Sequence, residues 1–181
     1  MRQALAAGNI RSLVGISFFC LLSVNLFFAS VICHSRLGKQ NSLWVQYDHC
    51  AIYLFIAGTF TPICLLSIPS AWSWFTLAGV WAAAAMLINK EINGTNHPPP
   101  STLVYLITGW LSVAAALPLI RSFGSASIAY FFVGTALYSV GTVFYIRSRR
   151  WLFAHGIWHA FVVGGAVAHF FMFYSILNEI M

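Results

Sequence analysis

The sequence predicts an all-α, polytopic membrane bundle of six transmembrane helices. Three observations predict it. Of 181 residues, 60% are apolar and only 7% charged, which is more hydrophobic side chain than a soluble domain of this size can bury. The apolar residues gather into six runs separated by polar or Pro/Gly punctuation, each long enough to cross a bilayer as a helix. Six crossings use ~120 residues at ~20 per crossing, which leaves only ends and loops. That excludes an attached water-soluble catalytic domain, a nucleic-acid reader and a disordered tail. Function must therefore sit in or at the bilayer, with membrane lipids as the expected partners.

The first run, Ser12 to Cys33, has an apolar core longer than the roughly 7 to 15 residues of a signal peptide, so it reads as a spanning helix. The second, His49 to Ile68, carries Thr59, Thr61 and Pro62, a predicted kink whose threonine hydroxyls can bond carbonyls that the proline leaves free. A Ser67-Ile68-Pro69-Ser70 turn precedes the third run, Trp72 to Asn89, and a loop from Lys90 to Ser101 with Pro98-Pro99-Pro100 precedes the fourth, Thr102 to Ile120. The fifth, Ala126 to Ile146, follows a turn at Gly124, and the sixth, Phe153 to Leu177, follows the basic Arg147-Ser148-Arg149-Arg150. Ala82 to Ala85, Gly134, Gly141, Gly164 and Gly165 read as close helix contacts. Cys20, Cys33, Cys50 and Cys64 lie in or beside apolar runs without a CxxC pair, as buried thiols rather than a disulfide framework.

An even number of crossings puts both termini on one side. That side holds Arg2, Arg11 and Arg121, the other Arg36, Lys39, Lys90, Arg147, Arg149 and Arg150. The basic side faces the cytoplasm, which leaves both termini outside. The net charge of +6 collects in loops and reads as topology and lipid-headgroup contact. Asn93-Gly94-Thr95 matches a glycosylation acceptor, but on this topology it faces the cytoplasm.

Alternating helix direction also sorts the polar residues by depth. His34 ends the first helix, Asp48 precedes the second, and His155 and His159 open the sixth, so all four reach the cytoplasmic end. His155 and His159 are i and i+4 and share a face one turn apart, a spacing at which two imidazoles hold one ion. Ser30 stands one turn before His34 and is placed to orient that imidazole or a water. Three neutral imidazoles suit Zn²⁺ and leave a fourth tetrahedral position open, as in catalytic sites; Asp48 is the base that takes a proton from water there. Histidines in membranes also serve as plain interhelical hydrogen-bond partners. His169 is read that way, because it lies ~21 Å along the helix from His155. His49, about 100° around the helix from Asp48, is read as a supporting or packing residue.

Three stretches carry a family resemblance. Tyr47-Asp48-His49-Cys50-Ala51-Ile52-Tyr53 with Ile56-Ala57-Gly58-Thr59-Phe60-Thr61-Pro62 resembles the signature of the hemolysin III family, within the progestin and adipoQ receptor superfamily. His155-Gly156-Ile157-Trp158-His159 with Ala168-His169-Phe170 resembles its last-helix motif, and Ser30 to His34 its S-x-x-x-H element. The resemblance implies a seven-helix fold with a zinc ion near the cytoplasmic face, held by His34, His155 and His159, with Asp48 and Ser30 around its water. The family's first helix, with its Glu, Asn and His motif, has no counterpart here, so six helices are expected. Removing one helix leaves the N-terminus outside, in agreement with the charge count. Ceramidase-like receptors and alkaline ceramidases among the relatives imply hydrolysis of a lipid amide.

The first functional expectation is therefore a zinc-dependent hydrolase of an amide or ester bond in a ceramide-like lipid, in the bacterial inner (cell) membrane. A second is a non-catalytic protein in which zinc staples helices for lipid sensing or homeostasis. A third is a pore-forming hemolysin, disfavoured because the intramembrane charges are too few to line a water channel.

Overall fold

The computed structural model describes residues 2–35, 42–93, 102–148 and 150–180. Within them lie six helices and no strand: α1 (Arg2–Ser35), α2 (Ser42–Leu66), α3 (Ala71–Asn93), α4 (Thr102–Ile120), α5 (Ser125–Arg147) and α6 (Ala154–Ile180). Each is long and apolar enough to cross a membrane, and the protein is a multi-pass membrane protein. Arg36, Lys39, the Gly94-Thr95 pair, Pro98-Pro99-Pro100 and Arg149 lie outside the described residues.

Five helices overrun their apolar runs, α5 by a single residue at each end. α1 starts at Arg2 rather than Ser12, α2 at Ser42 rather than His49, α3 ends at Asn93 rather than Asn89, and α6 ends at Ile180 rather than Leu177. Hydropathy marks where a helix enters hydrocarbon, whereas backbone hydrogen bonding continues through any helix-compatible residue beyond it. Ser70 shows how α3 is started: its Oγ accepts the Ser73 N–H at 3.2 Å while Ser73 Oγ accepts the Ser70 N–H at 3.0 Å. This is a reciprocal cap.

α2 is the inner helix, 67% buried over its spanning window against 17% for α1. α1 lies along one side of it, α3 and α4 along another, and α5 and α6 form a tightly packed pair. Aromatic rings join that pair to the rest: Phe19 of α1 meets Phe173 of α6 at 4.9 Å between centroids, and Phe55 and Phe60 of α2 meet Tyr138 and Phe131 of α5 at 6.2 and 6.3 Å. Indole N–H groups add polar ties in the absence of a hydrophobic drive between helices in lipid. Trp81 Nε1 donates to Thr61 Oγ1 at 3.1 Å, and Trp72 Nε1 to the Ala115 carbonyl at 2.9 Å. Leu21, Val24 and Phe28 stay exposed on the outer face of α1, where lipid replaces water.

Two local readings are corrected. Pro62 strands the carbonyl of Gly58, one turn back, but Thr59 and Thr61 donate instead to Phe55 and Ala57 at 2.9 and 2.8 Å. Cys20 is exposed, although Cys50 and Cys64 are buried and all four cysteines are free.

Candidate metal centre

His34 sits in the last turn of α1, and His155 and His159 in the first two turns of α6. α6 starts abruptly. Phe153, just before it, has a φ of 64°, and its carbonyl accepts the Ile157 N–H at 3.0 Å, so the chain turns sharply and presents His155 within one turn. His155 and His159 are half-buried and His34 is more open.

The three rings face one another edge to face. Their centroids lie 4.8 Å (His34 and His155), 4.7 Å (His155 and His159) and 5.2 Å (His34 and His159) apart. Nε2 of His155 lies 3.1 Å from Nε2 of His34 and 3.1 Å from Nε2 of His159. All three ligand atoms fall within 4.8 Å of one another.

Hydrogen bonding does not account for this convergence. A neutral imidazole nitrogen carries either one proton or one lone pair, so Nε2 of His155 can serve one of its two neighbours and leaves the other contact unpaired. A cation at the centre satisfies all three lone pairs at once. Nitrogens bound tetrahedrally to zinc at 2.0 to 2.1 Å lie about 3.3 Å apart, close to the two 3.1 Å separations about His155; the His34 and His159 nitrogens, within 4.8 Å, must close on each other to share one ion. The donor set thus fits a divalent metal that favours imidazole.

The comparisons with known proteins agree with this architecture. The family pattern described as "Haemolysin-III related" matches residues 3–170. The chain belongs to the haemolysin-III family. It is 36% identical over 173 residues to the "Hemolysin-3 homolog" of Bacillus subtilis (strain 168), covering 93% of this chain and 81% of that protein. It is 34% identical over 166 residues to "Hemolysin-3" of Bacillus cereus, covering 91% and 75%. A human relative, "Monocyte to macrophage differentiation factor", is 26% identical over 164 residues, covering 84% and 66%, and fits the wider superfamily. No solved structure matches the chain.

In this family member the histidines stand at one end of a partly open cavity of about 340 Å³ lined by α1, α2, α4, α5 and α6. Ser30 and Asp48 are on its wall, at the same end as the histidines. Asp48 stands outside the cluster of three nitrogens. Along α2 the wall runs from Val45 to Phe60, and the stretch beyond Asp48 spans about 18 Å of helix. Beyond the polar end the lining is chiefly apolar, with Phe27, Ile52, Phe55, Leu106 and Val113.

His169 behaves as its depth implied, with Nε2 3.3 Å from the Phe131 carbonyl and 3% of the residue exposed. Glu91, absent from the expected site, is the residue that sequence reasoning missed. It pairs with His49, which lines the cavity beside Asp48. Part of the signal was available: Glu91 is one of three acidic residues in the chain, and it lies in the last turn of α3.

Proposed function

We propose that the protein is a zinc-dependent membrane hydrolase that cleaves an amide or ester bond of a ceramide-like lipid. The observation that carries this reading is the convergence of three imidazole Nε2 atoms at the polar end of a long apolar cavity. One hydrocarbon leaflet is ~15 Å deep, comparable with the cavity's length along α2, so an acyl chain is the occupant this space suits. His34, His155 and His159 hold the metal through Nε2. When bound, zinc polarises a carbonyl oxygen and makes water more acidic.

The residues around it do the rest. Asp48 takes one proton from the attacking water and returns it to the leaving nitrogen or oxygen as the carbonyl carbon to heteroatom bond breaks. The products are a fatty acid and an amine or alcohol. Ser30, one turn from His34, orients that imidazole or the water. The apolar wall aligns the acyl chain so that its carbonyl lies at the polar end. The basic residues Lys90, Arg147 and Arg150 fall at the ends of the helices near the histidines, and Arg11 and Arg121 at the other, which supports a cytoplasmic site in the bacterial inner membrane.

One observation favours a second reading, a metal staple without turnover. α1 and α6 meet sparsely, and His34 bridges them. The experiment that separates the two is turnover of ceramide-like lipids by purified, metal-loaded protein, wild type against Asp48→Ala. Metal-dependent release of fatty acid by the wild type alone supports the hydrolase. No release from any lipid amide or ester, in a protein that keeps its metal, overturns it in favour of the staple.

A further inference from the structure

A second group of polar side chains stands on the cavity wall beside Asp48. His49 of α2 lines the cavity, and its Nδ1 lies 2.9 Å from Oε1 of Glu91, in the last turn of α3. Both side chains are only 12% exposed. Gln46 of α2 donates to the Glu91 backbone carbonyl at 3.4 Å and holds that turn of α3 in place. A carboxylate only accepts, so Nδ1 of His49 carries a proton, and in the tautomer this fixes Nε2 is the acceptor.

Beside it, Tyr105 of α4 also lines the cavity, with its ring centroid 6.4 Å from that of His49. The Tyr105 hydroxyl is buried, with its ring 4.8 Å from that of Tyr53, whose hydroxyl is the neighbour it has, and the two are not aligned for a full hydrogen bond. Such a group is costly unless something completes it.

We propose that His49, fixed by Glu91, and Tyr105 form a second polar subsite of the cavity, which binds a hydroxyl group of the lipid near the bond to be cleaved. A hydroxyl donates one hydrogen bond and accepts others, the complement of an imidazole acceptor and a phenol. An anionic phosphate is the wrong ligand here: Glu91 behind His49 and Asp48 next to it are two of only three acidic residues in the chain, and like charge disfavours it. Glu91 is a positioning residue, acting through the ring that it orients. The inference rests on the reading of the cavity as a lipid site.

The test uses two lipid amides of equal shape, N-oleoylethanolamine and N-oleoylpropylamine, which differ by a hydroxyl in place of a methyl group. Each is made to displace a fluorescent acyl probe from the purified full chain in nanodiscs, with turnover followed separately. The ethanolamide is expected to bind about tenfold better, since a site built around a hydroxyl leaves its own polar groups unpaired with the analogue. Tyr105→Phe and His49→Phe bring the two within twofold while leaving propylamide affinity and metal content unchanged. Glu91→Gln narrows the ratio as well, because the amide can donate to Nδ1 and reverse the tautomer. Should His49→Phe fail to fold, Tyr105→Phe decides alone.

Equal affinities in the wild type, or an undiminished ratio in Tyr105→Phe, overturn the subsite and leave only a water in that place. The hydrolase reading fails by a different sign. A retained tenfold ratio without fatty acid release from either amide refutes turnover and keeps the subsite, whereas release of both at equal rate and affinity does the reverse.

Discussion

Nε2 of His34 and Nε2 of His155 lie 3.1 Å apart although 121 residues separate them in the chain. Neither helix brings this about alone. α1 ends and α6 begins at the same end of the bundle, and the sharp turn at Phe153 sets the first turn of α6 facing the last turn of α1. His159 then adds its nitrogen from one turn deeper.

Metal content is the first consequence. Purified wild-type protein is expected to carry about one divalent ion per chain by elemental analysis, and His155→Ala to carry almost none. The same variant melts earlier than wild type, because the ion joins α1 to α6 and its binding energy is part of the folding energy. The pH dependence has a fixed sign. Protons compete with the metal for the same lone pairs, so metal content falls as pH is lowered and recovers on return. Full metal content in the triple His34, His155, His159→Ala variant would remove the site.

Asp48 gives a different pattern. It stands on the cavity wall outside the nitrogen cluster, so Asp48→Asn is expected to keep the metal and the melting temperature. Its loss as a general base lowers turnover by on the order of 10² to 10⁴ with little change in KM. A parallel loss of metal would make it a ligand instead.

How far the sequence anticipates this site depends on which property of a residue fixes its place. Six apolar runs and alternating direction were enough to put His34, Asp48 and His155 at one depth, since depth follows from order along the chain. The partner of His49 was hidden by a boundary. With the third helix ended at Asn89, Glu91 falls into a loop; in the structure α3 continues to Asn93 and Glu91 faces α2. Hydropathy is silent on that extra turn because Lys90 and Glu91 are good helix formers but polar. The hydrogen bond of Thr61 was equally out of reach, because its rotamer selects Ala57 over Gly58, whereas Thr59 stands next to Gly58 and can reach only a carbonyl three or four residues back.

The glycines of α5 and α6 separate in the same way. Gly134, Gly141, Gly164 and Gly165 were read as close contacts, but a methyl group on Gly164 would meet only Leu137 at 3.5 Å, whereas on Gly134 it would strike His169 at 2.7 Å and on Gly165 the ring of Tyr138. Gly164→Ala is therefore expected to be neutral or slightly stabilising. Gly134→Ala and Gly165→Ala each cost about 1 to 3 kcal/mol, as overpacked cores do. Thermal midpoints of the three variants in one detergent check the order.

The opposite end of the bundle offers a control for the metal site. α5 starts after Gly124, which has no side chain with which to cap it, and the missing cap comes from α6. Glu179 accepts the Gly124 N–H through Oε2 at 2.9 Å and the Ser127 hydroxyl through Oε1 at 3.2 Å. A carboxylate here pairs an orphan donor and meets the positive end of the helix dipole. Glu179 is exposed, so the contribution belongs at the low end of such caps, about 0.5 to 1 kcal/mol. Glu179→Ala should lower the melting temperature modestly, and Glu179→Gln by less, because its amide oxygen still accepts. Added salt should narrow the gap between wild type and the glutamine variant, since only the charge is screened. Neither variant should alter metal content. Loss of metal from Glu179→Ala would mean that α5 and α6 transmit disorder along their whole length, and that the histidine site depends on the packing of α6 more than on its own three ligands.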